Sequence, residues 1–486
     1  MNKIVFTSKL LILFLSTSLI KAQGVDTYFY SAPFYAPGTG AYIETYLAFA
    51  GNSMHYMKNK DSALQASAEV TMVFKNVDEI KEFRKFKVVS PYLPDTAKRF
   101  PPFIDQQRIL IPQGIYNFEL SITDNFGPDT VPPFKLKDIV SVHFPENDLS
   151  FSGIEFIERY TQTDKKNIYV KNGYEVIPYV SDFYPKQLNT LSFYAEFYNS
   201  SKVLGPLEDF MFLFHIQSSN TGKPIKDFSS FQKQKAMEVN VIFKDMNISK
   251  LPTGNYYLAI EVRNRDNKKV AETKKFFQRV GSYVEPKIMD IAAIEVQQTF
   301  VSQFTNRDSL AIYLSALRPI CDLAENRFID NQLQAANLKL MQQFFYNFWE
   351  KRNEINPGAA WKEYRENLNE VEQKFSHAHK HGFETDRGRV YLQYGPPNSI
   401  ISEPNESNAF PYEIWHYYKI ADQTDKKLIF YNKSLLDKDY QLLHSNVKGE
   451  LSNSYWESEL YSGSGNWVEN NMGTNRSKAR EYFEGK

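Results

Sequence analysis

Pro112-Gln113-Gly114-Ile115-Tyr116-Asn117-Phe118-Glu119-Leu120-Ser121-Ile122-Thr123-Asp124 is matched further along the chain by Pro252-Thr253-Gly254-Asn255-Tyr256-Tyr257-Leu258-Ala259-Ile260-Glu261-Val262-Arg263-Asn264. Pro, Gly, Tyr and the three apolar residues after them keep the same spacing in both. Pro and Gly make a turn, the alternation buries one side of a strand, and Asp124 or Asn264 opens the next turn toward a hairpin partner. A strand motif that occurs twice predicts two similar β domains in tandem.

Outward from the repeat, the same period of two marks Ala41 to Phe49 and Ala66 to Phe74 in the first domain. It marks Ser192 to Tyr198, Phe210 to Ile216 and Val239 to Phe243 in the second. The Pro-x-Gly-x-Tyr lead into a strand resembles the late strands of bacterial immunoglobulin-like sandwiches. Residues 24–138 and 139–284 are therefore expected to be two tandem immunoglobulin-like β-sandwiches. The aromatic content, 15% with 31 Tyr and 38 Phe, suits half-buried strands whose rings cover sheet faces. Neither domain concentrates titratable groups, and such modules serve binding or spacing.

After about residue 285 the period lengthens. Leu310, Leu314 and Leu317, then Leu333, Leu338, Met341, Phe345 and Phe348, recur at helical intervals, Pro357-Gly358 interrupts them, and Trp361 to Phe375 resumes the pattern. Next comes Gly382-Phe383-Glu384-Thr385-Asp386-Arg387-Gly388-Arg389-Val390-Tyr391-Leu392-Gln393-Tyr394-Gly395-Pro396-Pro397. Read residue by residue, the glycines permit unusual backbone angles, Thr385 or Asp386 accepts N–H bonds in a turn, and Arg389 to Tyr394 alternates as a strand that Gly-Pro-Pro ends. On that strand Arg389, Tyr391 and Gln393 share a face, and Asp386 is a nearby carboxylate for an arginine. Further strands are expected at Tyr412 to Ile420 and Lys427 to Asn432.

This run resembles the signature of the GWxTD domain family of bacterial exported proteins. Phe348-Trp349-Glu350-Lys351-Arg352 is similar to the helix end that precedes that signature, Phe375-Ser376 to the close of the following helix, and the resemblance covers about 291–431. It implies export and no particular activity. Phe383 stands where the family has tryptophan, which keeps an apolar ring and loses the indole N–H. The fold class is thus expected to be multidomain, mainly β then α+β: two sandwiches, then a helical segment and a small antiparallel sheet over 285–460, then a flexible tail at 461–486 rich in Gly, Asn, Ser and charge.

The 57 Lys and Arg balance the 57 Asp and Glu, which argues against a nucleic-acid footprint. Lys3, Lys9 and the apolar run Leu10 to Leu15 form a signal-peptide pattern over 1–22, too short to span a bilayer. No cysteine near the expected cleavage point offers a lipid attachment, and no other stretch suits a transmembrane helix. The mature chain is expected in the periplasm, associated with the outer membrane, or outside the cell. The single Cys321 cannot form an internal disulfide, so folding rests on packing.

The binding or ion-network candidates are Thr385, Asp386, Arg387, Arg389, Tyr391 and Tyr394. An aspartate beside two arginines stays ionised, which suits a structural network or a carboxylate clamp better than acid–base chemistry. No catalytic residue is assigned and no cofactor is expected. His377, His379 and His381 would face one side of an extended segment and could ligate a metal, although no HExxH or paired cysteines support them. The leading expectation is an exported envelope protein, structural or interacting with another envelope protein. The alternatives are an envelope enzyme acting on an anionic or carbohydrate substrate, and a metal-binding module around the histidines.

Overall fold

The structure is a computed structural model that describes residues 24–484 apart from positions 61, 78, 130, 132, 220, 282–290, 334, 378–379, 421–422, 435–438, 454–455 and 462–476. The expected leader, residues 1–22, lies outside the described residues.

Both copies of the repeat build the same corner. Tyr116 donates its hydroxyl to the Pro112 carbonyl at 2.6 Å, and Tyr256 donates to Pro252 at 3.1 Å. Each ring swings back over the glycine two residues before it, where a Cβ would come within 3.2 Å of the Tyr116 oxygen or 3.0 Å of the Tyr256 oxygen. The glycine makes room for the ring; neither Gly114 nor Gly254 has a positive φ. The strands that follow, Gly114–Asp124 and Gly254–Arg263, each pair antiparallel with the next strand in sequence.

In the first sandwich, Thr27–Ala36, Gly40–Phe49 and Phe103–Leu110 form one sheet. Tyr56–Lys58, Leu64–Asn76, Gly114–Asp124 and Phe134–Val142 form the other, with Glu79–Val89 also on Leu64–Asn76. Alternate residues such as Ile43, Leu47, Met72, Phe74, Phe118 and Ile122 meet in its core. Its last strand runs to Val142, through residue 138. In the second sandwich, Val170–Lys171, Tyr174–Pro178, Glu155–Gln162, Thr190–Tyr198 and Val239–Asn247 oppose Phe183–Tyr184, Lys269–Arg279, Gly254–Arg263, Asp209–Ser218 and Pro224–Lys235.

A buried ionic cluster joins the two sandwiches. The Lys171 ammonium lies 2.5 Å from carboxylates of both Glu44 and Glu155, and Arg108 holds the other Glu44 oxygen at 2.6 Å. Burial pushes the Glu155 carboxyl above its ordinary range. Burial would do the same to Glu44, but the Lys171 and Arg108 charges bring it below.

The third region starts with the helices Arg307–Ala316, Leu323–Gln332, Leu338–Arg352 and Pro357–Phe375. The side chains of Asn306, Asp322, Asn337 and Asn356 cap them, accepting the backbone N–H groups of Ser309, Glu325, Leu340 and Ala359. A four-stranded antiparallel sheet follows in the order Ser399–Glu403, Tyr412–Ile420, Gln423–Tyr431, Gln441–Ser445. One face, with Trp415, Leu428 and Phe430, packs on the helices. The other, with Ile414, Ile429 and Leu443, is covered by the short helices Trp456–Leu460 and Lys478–Glu484. Within the tail expected at 461–486, Lys478–Glu484 is a helix with Ala479 buried against this cluster, and 462–476 lie outside the described residues.

The expected strand at Arg389 to Tyr394 is instead the last two turns of a helix, Asp386–Tyr394. Val390 and Leu392 mimic a period of two over too few residues to decide. The buried set Arg387, Gly388, Val390, Tyr391 is helical, and so are the Thr385 cap and Gly395, with φ 80° just past the end. Among the described residues no helix is long and apolar enough to cross a membrane.

Candidate functional site

The signature helix is fixed at its start by backbone contacts. Thr385 Oγ1 accepts the Gly388 N–H at 3.0 Å and donates to the Gly382 carbonyl at 2.7 Å. Asp386 Oδ2 accepts the Leu442 N–H at 2.7 Å, tying the helix to the Gln441–Ser445 strand. The glycines allow close approach: a Cβ on Gly388 would stand 1.9 Å from the Gly382 carbonyl oxygen and 2.9 Å from Val371 Cγ1, and one on Gly382 would stand 2.3 Å from the Val371 oxygen. Neither glycine has a positive φ, so the turn role expected for them is replaced by a packing role. Phe383 is buried, stacks on His381 with centroids 5.0 Å apart, and donates its amide to Glu372 at 3.2 Å.

The two arginines diverge because residues two apart on a helix point to different sides. Arg387 donates to Glu413 at 2.9 Å and lies over the rings of Tyr440 (4.2 Å) and Phe375 (5.0 Å). Glu413 also accepts the Trp415 indole N–H at 2.9 Å. Arg389 grips Glu450 through two parallel bonds of 2.8 Å, and Tyr394 donates to the same carboxylate at 2.8 Å. Burial would lower the Arg389 pKa, but the Glu450 carboxylate holds it above its ordinary value. Burial and Glu450 push the Tyr394 phenol up, as burial and Glu370 do for Tyr391. The structure therefore does not gather Asp386, Arg387 and Arg389 into one ion network. Each makes its hydrogen bonds to a different partner, Asp386 to the Leu442 N–H, Arg387 to Glu413 and Arg389 to Glu450, although the Asp386 charge also helps hold the Arg389 pKa up.

Glu450 belongs to a loop that lies against the second sandwich. A Cβ on its neighbour Gly449 would stand 3.3 Å from Asn255 Nδ2 and 3.4 Å from Phe276 Cζ. The Arg389–Glu450–Tyr394 clamp thus orders the segment through which the third region meets the repeat strand of the second.

Beside the signature helix is an open groove of about 400 Å³. Phe375, Tyr391 and Trp415 line it, with Pro396, Pro397 and Ile400. Its charged groups are paired: Arg387 with Glu413, and Lys374 with Glu370 at 2.5 Å. The arrangement offers an apolar aromatic surface with neutralised charge, which suits binding.

His377 makes a backbone bridge with Lys380, His381 faces Glu372 at 3.3 Å, and His379 lies outside the described residues. Among the described residues no three of His, Cys, Asp and Glu stand close enough to hold a metal ion. Burial pushes the Cys321 thiol well above its ordinary value. Sequence reading did not reach Glu413, Trp415, Tyr440 or Glu450, because no spacing rule links a helix to partners brought in by a sheet and a loop.

The family model of the GWxTD domain matches residues 294–459, a span that holds the signature helix, its glycine contacts and the carboxylates that pair with its arginines. The chain carries a GWxTD domain. Phe383, at the position of the motif's tryptophan, is buried, and the Gly, Thr and Asp of the GWxTD motif each have a structural task here. No curated protein matches the chain. Among solved structures, the calcium binding domain CBD12 of CALX1.1 is similar at 10% identity over 50% of this chain and 82% of that one, TM-score 0.15. The fibronectin(III)-like modules of Clostridium thermocellum CbhA align at 10% over 50% and 89%, TM-score 0.14. A calcium binding mutant of Bacteroides uniformis beta-glucuronidase 2 aligns at 10% over 48% and 26%, TM-score 0.17. Likenesses of this size carry no argument about function.

Proposed function

We propose that this chain is an exported, non-enzymatic interaction protein of the cell envelope, in which two sandwiches hold a GWxTD domain that contacts another envelope protein. The observation that carries the reading is the employment of the signature. Thr385, Asp386, Arg387, Arg389 and Tyr394 all direct polar groups to partners inside the fold, and the helix they fix presents an aromatic groove beside it. The leader pattern over 1–22 supports export. The test is fractionation and chemical crosslinking in intact cells expressing the full chain. A specific, different envelope protein joined to it is the expected result. Recovery in the cytoplasm with the leader uncleaved would refute export. Turnover of an anionic or carbohydrate envelope compound by the purified chain, lost in Glu370→Gln or Glu413→Gln, would replace the reading with an enzymatic one.

A further inference from the structure

We propose that the strand Ser399–Glu403 accepts an extended segment of another polypeptide as a fifth strand of the GWxTD sheet, with an apolar side chain of that segment entering the Phe375–Tyr391–Trp415 groove. This rests on the interaction reading and names the chemistry of the partner.

The sheet has two edges, treated differently. At Gln441–Ser445 the edge is engaged: Asp386 takes the Leu442 N–H, and His444 Nδ1 accepts the Asn453 N–H at 3.0 Å. At Ser399–Glu403 the strand pairs with Tyr412–Ile420 on one side, and no strand lies on the other among the described residues. An edge of this kind presents a row of backbone donors and acceptors, which an added strand satisfies at about 4.8 Å spacing.

The core face stops short at the same edge. Ile400 stands opposite Trp415, and Trp415 opposite Leu428, in one row across three strands. Trp415 and Leu428 are fully buried under the helices, whereas Ile400 is 51% exposed. The groove lies beside it, bounded by Phe375, Lys374 and Glu370 at the end of the Pro357–Phe375 helix and by Tyr391. The helical layer therefore flanks the position where the next residue of that row would sit. With Arg387–Glu413 and Lys374–Glu370 already paired, charge complementarity selects a neutral, apolar side chain.

The edge also lacks the lysines and arginines carried by others in this chain. Glu79–Val89 bears Lys81, Arg84, Lys85 and Lys87, and Pro224–Lys235 bears Lys226, Lys233 and Lys235, the charges by which exposed edges resist unwanted pairing. Ser-Ile-Ile-Ser-Glu has a single charge, Glu403, and that is held by Lys478 at 2.6 Å. Pro397 and Pro404 flank the strand and limit the docked length to a few residues.

The experiment places a photoreactive phenylalanine analogue at exposed Ser402, and in a second strain at Phe231 on the second sandwich, in the full exported chain. Crosslinks are made in intact cells and mapped by mass spectrometry. Crosslinks from Ser402 concentrated on one short segment of a different protein, with apolar residues at alternate positions, are expected. Capture should fall at least tenfold in Ile400→Lys, a substitution at a half-exposed site, with the thermal midpoint unchanged. Crosslinks only to a second copy of this chain, scattered crosslinks, or capture unaffected by Ile400→Lys would overturn the proposal. Capture of a partner from Phe231 but not from Ser402 would overturn it and leave the interaction reading standing. Capture from neither would overturn both.

Discussion

Replacing Gly388 by alanine tests whether the GWxTD signature is a packing device. The new methyl would lie 1.9 Å from the Gly382 carbonyl oxygen and 2.9 Å from Val371 Cγ1. Carbon contacts are comfortable near 3.5 Å, so the backbones must part by more than about 1 Å. Because a backbone carbonyl is in the way, rotation of a side chain cannot relieve the clash, and the cost belongs at the upper end of overpacking, about 3 kcal/mol. Alanine's better helix propensity returns up to about 1 kcal/mol, leaving a net loss of roughly 2–3 kcal/mol. For a domain of this size that is a fall of roughly 5–10 °C in Tm. Gly395→Ala makes no such clash, since nothing lies within 4 Å of the added methyl, but φ 80° with ψ −175° is a conformation that only glycine adopts readily, so backbone strain alone is about 1–3 kcal/mol, roughly 2–10 °C. All 5 tryptophans lie at or beyond residue 349, so thermal unfolding followed by tryptophan fluorescence reports this region and not the sandwiches. A Gly388→Ala chain that melts at or above the wild-type temperature would refute the close contact and with it the packing account of the motif.

Arg389→Met removes both bonds to Glu450 and leaves that carboxylate, 7% exposed, with only Tyr394; a loss of about 2–3 kcal/mol and faster proteolytic cutting around Lys448 are expected, partly restored by the second change Glu450→Gln. His444 is held to a pKa of about 4 by burial and by the Arg480 charge, so its proton is bound more readily in the unfolded chain. Stability should therefore be full above pH 6.5 and fall as pH drops toward 4, by on the order of 2–3 kcal/mol; amide exchange in the Lys478–Glu484 helix should quicken over that window in wild type and not in His444→Phe. Tyr116→Phe and Tyr256→Phe delete the same bond to a proline carbonyl and should each cost about 1 kcal/mol in denaturant unfolding; unequal losses would mean that the two corners are not equivalent.

The amino-acid sequence alone determined what local pattern can determine. The strands Gly114–Asp124 and Gly254–Arg263, the helix from Trp361 to Phe375 and the strand Tyr412–Ile420 were legible because the hydrophobic period acts within a few positions, whereas Pro357-Gly358, read as an interruption, is the first turn of that helix. The GWxTD signature was recognisable for the same reason, being a run of adjacent residues. Its conformation was misread where six residues satisfied two periods at once, although Thr385 and Gly395 already marked the ends of a helix. What only the tertiary structure decided was the use of each side chain. Arg389 and Glu450, Asp386 and Leu442, Gly388 and Val371 meet because sheet and helices fold back on one another, and the free energy of those contacts depends on distances that no spacing along the chain encodes.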